Sequence, residues 1–169
     1  MGSQHPAVVI RAMCSEDARA FLVVHHAAVW GIAAKDYPLA VIEAWAPMPI
    51  TKDAIDLVRA NPDNEYRVIA EIDGRVVGIA AAVFDTAELR ACYVTPDAAE
   101  KGVGSALVKE IERAARELGV PQLELDSSVT AESFYRIAGY EVVQRAEHVL
   151  HNGQRMACVK MRKKFGHSF

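Results

Sequence analysis

The sequence predicts a single α+β domain, and three observations support this prediction. Strand-like and helical patterns alternate at short spacing along the whole chain, and no repeat or linker divides it. Two dipeptides typical of hairpin turns, Asp73-Gly74 and Asn152-Gly153, each lie between two strand-like runs. The composition, 51% hydrophobic and 24% charged in 169 residues, is that of one globular domain.

The first half of the chain predicts one strand, three helices and a hairpin. In chain order these are a strand at 8–11, a helix from 15 to 32, short helices at 39–45 and 51–59, and strands at 66–72 and 75–84. Ser15 and Thr51 have the side chains of helix N-caps. Pro38 separates the first two helices because the residue before a proline disfavours helical backbone.

The second half predicts a strand, a long helix, a strand, a short helix and a hairpin. In chain order these are 88–94, 102–118, 122–126, 130–137, 140–150 and 155–161. The long helix has apolar residues at helical spacing, and its polar residues fall on the other side. The apolar residues are Val103, Leu107, Ile111, Ala114 and Leu118, and the polar ones are Lys109, Glu112, Arg113 and Arg116. We expect one domain at 7–164, with flexible ends at 1–6 and 165–169.

Charge and hydropathy argue against two classes of partner. The net charge is −3 and no basic stripe is visible, so we expect no nucleic acid. A C-terminal basic cluster is interpreted as a solvated strand end; it contains Lys160, Arg162, Lys163 and Lys164. The longest apolar run, 76–84, is far shorter than the ~20 residues that cross a bilayer, and no signal segment begins the chain. We therefore expect a cytoplasmic protein without membrane contact.

The three cysteines predict neither a disulfide framework nor a metal site. Cys14, Cys92 and Cys158 are odd in number, widely spaced and without the spacing of metal ligands. We expect reduced thiols and no metal.

The segment 94–107 carries the clearest functional signal. It places Gly102 and Gly104 between a strand end and a helix start, where backbone N–H groups and the helix dipole can bind an anion such as a pyrophosphate. A tight turn into a helix is the alternative interpretation. Neither a P-loop nor a dinucleotide fingerprint fits the glycine spacing.

This segment resembles motif A of the GNAT superfamily of acetyl-CoA-dependent N-acetyltransferases. Val94, Pro96, Gly102, Gly104 and Leu107 fall in register with the family pattern of Val-x-Pro, a spacer, then [Gln/Arg]-x-x-Gly-x-[Gly/Ala].

A second stretch, 128–140, looks like motif B of the same family, with Tyr135, Gly139 and Tyr140 at the matching positions. One position of motif A departs, because Ala99 stands where the family has Gln or Arg. The resemblance covers residues 8–163. It implies the GNAT fold, a central mixed and twisted sheet of six to seven strands flanked by helices.

The resemblance also implies a function and a co-substrate. A GNAT enzyme transfers the acetyl group of acetyl-CoA to a primary amine of a small molecule or protein, by direct attack through a tetrahedral intermediate. The CoA phosphates would contact the loop and helix start, and main-chain groups near Cys92 and Val94 would contact the pantetheine arm. The phosphate-binding positions are Gly102, Val103, Gly104, Ser105 and the flanking Lys101. For Lys101, an exposed surface lysine without such a contact is the alternative. Ala99 is expected to loosen CoA binding.

The resemblance assigns two catalytic positions. Tyr135 is the expected proton donor to the departing thiolate, because a phenol stays protonated at neutral pH. Plain packing is the alternative. Glu88, at the start of the strand leading to the centre, is the candidate general base, and strand alternation puts it on the face of Arg90 and Cys92. An ion pair with Arg90 is the alternative, and His25 and His26 are the next candidates for the base.

The acceptor site is expected beside the first helices. Trp30, Asp36, Tyr37, Glu43 and Trp45 lie in the segment that walls this site in the family, and an aromatic, acidic lining favours a cationic amine. The alternative for the two tryptophans is the core.

The terminal hairpin at 141–162 is the expected surface for a homodimer. Two other functions stay open: a catalytically silent domain that binds or senses acyl-CoA, and an RNA-directed toxin, which would need a basic surface.

Overall fold

A computed structural model describes residues 6–166 and contains one seven-stranded sheet. The strands are β1 (Val8–Ala12), β2 (Tyr66–Ile72), β3 (Arg75–Val83), β4 (Glu88–Val94), β5 (Gln122–Ser128), β6 (Glu141–Val149) and β7 (Arg155–Lys164). Their order across the sheet is β1-β2-β3-β4-β5-β7-β6, and β6 is therefore an edge strand. Every pairing is antiparallel except β4 with β5, which makes the sheet mixed, as the sequence predicts.

Five helices cover the two faces of the sheet. They are α1 (Ala18–Gly31), α2 (Leu39–Trp45), α3 (Lys52–Ala60), α4 (Val103–Glu117) and α5 (Glu132–Ile137). Val24 of α1 packs on Ile69 and Ile79 from one side. The apolar stripe of α4 packs with Ala80 and other small residues on the opposite side. The order of strands and helices along the chain is the predicted one.

Glycine lets α4 approach the sheet closely. A Cβ at Gly78 of β3 would lie 2.8 Å from Val103 and 2.9 Å from Leu107, inside any normal contact distance. The helix that begins at the predicted anion site is thus fixed directly on β3, beside β4.

Both predicted hairpin turns form, but by different geometries. Asp73 and Gly74 have φ of 51° and 75°, as a two-residue type I′ turn requires. In the other hairpin, Gly153 has a φ of 83°, and its N–H donates to the carbonyl of Leu150 at 2.8 Å. The Leu150 N–H donates to the Gln154 carbonyl, so this loop has three residues and a single left-handed glycine.

The start of α1 differs from the prediction. Ser15 lies in a single 3₁₀ turn that precedes α1, and the Asp17 carboxylate accepts from the Cys14 N–H at 2.8 Å. Arg11 donates two bonds to Asp17, at 2.7 and 2.8 Å, and holds the pKa of that carboxyl far below its usual value. Thr51, by contrast, caps α3 as predicted, and its hydroxyl accepts from the Ala54 N–H at 3.2 Å.

Two expectations drawn from the pattern of α4 are wrong. Leu118 is 68% exposed and follows the last helical residue. Glu112, placed on the polar side by its spacing, is 4% exposed and forms an ion pair with Lys163 at 2.8 and 2.9 Å. Lys163 also donates to the Ala138 carbonyl at 2.7 Å, so it is not part of a solvated strand end. The polar side of α4 faces β7 at this point, which a single-helix pattern does not reveal.

The ends of the described chain are partly fixed. The Phe165 N–H donates to the Pro121 carbonyl at 2.9 Å, and the Arg116 guanidinium lies 4.5 Å from the Phe165 ring centre. Flexible ends were predicted at 1–6 and 165–169. Of these residues, 1–5 and 167–169 lie outside the described residues. None of the helices within 6–166 combines the length and apolar character needed to cross a bilayer.

Candidate active site

The candidate site is a cleft that forms where two neighbouring strands separate. β4 and β5 pair only at Glu88 with Glu124, where the Glu124 N–H donates to the Ala87 carbonyl at 2.8 Å. Beyond this point the strands diverge around a cleft of about 1010 Å³. Both strands, the start of α4, one side of α5 and parts of β6 and β7 line it. The two strands are thus separated along the stretch of β4 that holds Cys92 and Val94.

The start of α4 opens onto the cleft without a capping side chain. Gly102 is its N-cap residue, has a φ of 81° and supplies no side-chain cap to the first N–H groups of the helix. Those N–H groups belong to Val103, Gly104 and Ser105, which all line the cleft. Uncapped N–H groups and the positive end of the helix dipole fit a phosphate or pyrophosphate. These residues therefore fit the CoA phosphates that the sequence predicted for them.

The three residues before Gly102 differ in whether they line the cleft. Lys101 is exposed and is not among the residues that line the cleft, whereas Glu100 lines it. Ala99, at the position where the family carries a longer polar side chain, lines the cleft as well. Of the two charged residues directly before the helix start, it is therefore the acidic one that lines the cleft.

Gly104 has a packing role in addition. A Cβ at this position would lie 3.1 Å from the Phe134 ring and 3.7 Å from Val94. Bare backbone is thus needed here so that α5 can pack on α4 and β4.

The main chain of β4 presents polar groups to the cleft. The Thr95 N–H donates to the Val77 carbonyl of β3 at 2.9 Å. Main-chain N–H and C=O groups alternate in direction along a strand, so those of Tyr93, two residues earlier, also point toward β3. The N–H and C=O groups of Cys92 and Val94 consequently face the gap. They lie where the sequence expects main-chain contacts to the pantetheine arm.

The Cys92 side chain is a partly buried apolar group. Its Sγ lies 3.9 Å from the Gly104 carbonyl oxygen, and burial raises the pKa of the thiol to about 12. A thiol with this pKa is a poor nucleophile at neutral pH. The three cysteines are all free, as expected.

Tyr135 lines the cleft from the side of α4 and α5. It is 7% exposed and packs edge to face on Phe134 and Tyr140, with ring centres 5.0 and 5.7 Å away. Burial raises its pKa well above the usual tyrosine value. Its phenol therefore holds its proton at neutral pH, which suits a proton donor.

Glu88 lines the cleft but lies on the opposite face from Cys92. The pairing passes from Ala81 with Ala91 to Ala82 with Leu89, which leaves Arg90 as an extra residue in a β-bulge. The bulge reverses the alternation, so the predicted common face is wrong. Arg90 Nε lies 3.4 Å from Glu88 Oε1, and the ion pair considered as the alternative is present.

Of the predicted acceptor wall, Trp45 lines the cleft. Tyr37 is buried, donating to the Ala157 carbonyl at 2.6 Å and accepting from the Val129 N–H at 2.8 Å. Trp30 donates to the Ala46 carbonyl at 2.8 Å. Asp36 accepts from the Thr130 hydroxyl at 2.7 Å, and Glu43 is exposed.

The two candidate histidines of α1 stay outside the cleft lining. The His25 ring packs edge to face on Tyr93 at 4.6 Å, and burial lowers its pKa to about 4. Both ring nitrogens of His26 face carbonyl oxygens, of Leu22 at 2.8 Å and of Pro47 at 2.9 Å. These hydrogen bonds give His26 a structural role.

Sequence reasoning missed two titratable residues of the cleft, Asp126 and His148. His148 Nδ1 lies 3.8 Å from Asp126 Oδ2, and Lys160 Nζ lies 3.0 Å from Asp126 Oδ1. Their separation along the chain hides the contact, and the hairpin register that creates it is set by a bulge at Val143. Within residues 6–166, no three His, Cys, Asp or Glu residues are grouped so as to hold a metal ion.

A mixed sheet that opens between two parallel strands, beside an uncapped helix start, is the arrangement of an acyltransferase domain. Residues 33–165 match the family described as "Acetyltransferase (GNAT) domain". The chain therefore belongs to the GNAT family of acetyltransferases.

Solved structures agree with this assignment. A GCN5-related N-acetyltransferase from Rhodopseudomonas palustris, also described as a class-II aminotransferase, superposes with a TM-score of 0.84 at 29% identity, covering 98% of this chain and 99% of that one. The PaiA N-acetyltransferase from Thermoplasma acidophilum, solved with coenzyme A, gives 0.70 at 21% identity over 94% and 99%. At that identity, the second likeness shows the fold alone.

One curated relative is a larger protein. A bifunctional malic/malolactic enzyme from Bacillus subtilis is 36% identical over 106 residues, which are 63% of this chain. The chain spans about a quarter (24%) of the length of that relative.

Proposed function

We propose that this protein transfers the acetyl group of acetyl-CoA to a primary amine of a small molecule or protein. The observation that carries the proposal is the cleft between β4 and β5, which joins an uncapped helix start to a buried, protonated phenol. The helix start would hold the phosphates, and the main chain of Cys92 and Val94 would bind the amides of the pantetheine arm. Acetyl-CoA supplies the activated acetyl group.

The reaction needs three proton transfers besides the attack. The ammonium loses one proton to a base, and its freed lone pair forms the C–N bond while the carbonyl π electrons move to oxygen. When the carbonyl re-forms, the C–S bond breaks and sulfur keeps the electron pair. Tyr135 gives its proton to that sulfur and recovers one from the new amide nitrogen. The products are an amide, a thiol and one proton on the base.

The position of the base follows from the faces of the sheet. Tyr135 lies on the α4 and α5 side of the sheet, whereas Glu88 lies on the side of α1. An amine that approaches from the α1 side would attack one face of the planar thioester carbonyl. We place the base on that side, with Glu88 as the residue that the sequence alone suggests.

Ser105→Glu is expected to abolish CoA binding without unfolding the protein. A glutamate near the start of a helix is favourable for the helix, but its carboxylate would repel the phosphates. Calorimetric titration with acetyl-CoA should show micromolar binding to the unmodified protein and none to this variant. Ser105→Gln, which adds similar bulk without charge, is the control; equal binding by Ser105→Glu would refute the phosphate assignment.

Glu100→Gln is expected to strengthen acetyl-CoA binding about two- to fivefold at low salt. The change removes an exposed negative charge that lines the cleft near the helix start. The dissociation constant from the same titration measures the effect, and the gain should shrink in 0.5 M salt because exposed charges are screened. Weaker binding by the variant would contradict this placement of the phosphates.

A catalytically silent acyl-CoA-binding domain is the second candidate function. Ala99 at the family's polar position and the Glu88–Arg90 ion pair favour it. Release of free thiol from acetyl-CoA on addition of a panel of primary amines distinguishes the two. Binding without amine-dependent thiol release would support the silent domain.

A further inference from the structure

We infer that His148, oriented by Asp126, takes the first proton from the incoming amine, an inference that rests on the proposed function. Neither residue belongs to the two sequence motifs. Both line the same cleft as Tyr135.

The fold places Asp126 just past the point where β4 and β5 separate. Asp126 lies two residues beyond Glu124, the last partner of β4, and therefore on the same face of the sheet. Glu88, the register partner of Glu124, also lies on that face. His148 lies on β6, pairs there with Met156 of β7, and reaches the same face of the sheet.

The contacts of the pair leave one imidazole nitrogen available. Lys160 holds Asp126 Oδ1 at 3.0 Å, and Asp126 Oδ2 faces His148 Nδ1 at 3.8 Å. Among residues 6–166, Nε2 of His148 has no hydrogen-bond partner, and the side chain is 51% exposed. At 3.8 Å the contact is electrostatic rather than a hydrogen bond, and the negative carboxylate favours the tautomer with its proton on Nδ1, which leaves Nε2 to accept the proton of the amine.

Glu88 is more constrained than His148. Its Oε1 lies 3.4 Å from Arg90, and that guanidinium also contacts Asp63 at 2.7 Å and Glu65 at 3.6 Å. This ion-pair network restrains the Glu88 carboxylate and occupies one of its oxygens.

His148 and Tyr135 lie on opposite faces of the open sheet. Met156, the partner of His148, belongs to the apolar cluster beneath α2, whereas Tyr135 belongs to the cluster beneath α4. One face would thus deprotonate the amine while the other protonates the thiolate. Neither group can then return its proton directly to the other.

Several charged or titratable groups lie near the imidazole. Asp126 of β5 faces it directly, and Lys160 and Cys158 of β7 flank Asp126. Glu88 of β4 lies elsewhere along the cleft. Burial and the nearby Asp126 raise the pKa of Cys158, so its thiol stays neutral.

The test compares two amines of nearly equal size with acetyl-CoA as donor. Ethylamine is protonated at neutral pH, whereas trifluoroethylamine is largely neutral because fluorine withdraws electrons. His148→Gln should lower kcat/KM for ethylamine about 100-fold and for trifluoroethylamine less than about threefold, because the second amine needs no base.

Three further variants test whether the loss of ethylamine acetylation comes from His148 itself. His151→Gln, an exposed histidine in the turn of the same hairpin, should keep the unmodified rates. Asp126→Asn should lower the ethylamine rate more than the trifluoroethylamine rate while retaining more activity than His148→Gln, as expected of a positioning residue. Glu88→Gln should cost less than about tenfold.

The outcomes separate this proposal from the proposed function. Unmodified protein that transfers acetyl groups to ethylamine, together with an unchanged rate in His148→Gln, overturns the role of His148 alone. Equal losses with both amines overturn it too, because they indicate a binding or folding defect. Failure of the unmodified protein to acetylate either amine overturns both proposals.

Discussion

Replacing Tyr135 by phenylalanine is expected to lower kcat about 100-fold while changing the affinity for acetyl-CoA by less than about threefold. The hydroxyl would act only after the tetrahedral intermediate forms, when sulfur leaves with an electron pair, and proton donation at such a step contributes about 10²–10⁴-fold. The ring itself packs on Phe134 and Tyr140, and phenylalanine preserves that packing. Steady-state kinetics together with calorimetry of acetyl-CoA binding measure the two quantities.

Tyr140→Phe is the matched control for this substitution. Its hydroxyl is buried without a hydrogen-bond partner in the described part of the chain, so its removal should leave kcat unchanged and stability equal or higher. Because burial raises the Tyr135 pKa well above ~10, the unmodified enzyme should stay active at pH values where an ordinary tyrosine ionises. Full activity of Tyr135→Phe would assign the proton donation to another group or to water.

Replacing Lys163 by methionine is expected to destabilise the protein by about 3–5 kcal/mol. The change leaves the Glu112 carboxylate, 4% exposed, without its partner, and an uncompensated buried charge has a cost of this size. The Ala138 carbonyl loses its donor as well. Urea denaturation followed by circular dichroism gives the free energy of unfolding.

A double variant and a variant of an exposed ion pair test whether the loss of stability comes from the unpaired buried charge. Glu112→Leu combined with Lys163→Met removes both charges and should recover most of the loss. Lys52→Met breaks the exposed ion pair with Asp56 and should cost less than about 0.5 kcal/mol. A single variant Lys163→Met that is as stable as the unmodified protein would contradict the burial of this pair.

The elements of the fold were predictable because their signals are local. Asp73 and Gly74 adopt a left-handed backbone conformation that both residue types tolerate, and Thr51 caps α3 with its own hydroxyl. The α4 stripe from Val103 to Ala114 is buried as its spacing predicts. In each case the residues that create the structure lie within one turn or one strand of each other.

The features that were missed depend on distant contacts. Glu112 and Lys163 are 51 residues apart in the sequence, and the residues around each of them give no sign that the two side chains are in contact. The extra residue Arg90 in β4 reverses the face of Glu88, and a bulge of this kind has no reliable sequence signal. Asp126 and His148 come together only through the pairing of three strands. Of the proposed site, the sequence therefore indicated the helix start and Tyr135 but not the face of the base.

The gap between β4 and β5 gives the sheet two edges in its interior. The halves β1–β4 and β5–β7–β6 touch through a single ladder position, so the main-chain groups of Cys92 and Val94 lack the strand that would normally bond them. A ligand arm with amide groups would complete the sheet as a substitute strand and tie the halves together. Amide hydrogens along this gap should then exchange fast in the free protein and slowly in the complex, with a melting temperature that rises with ligand concentration.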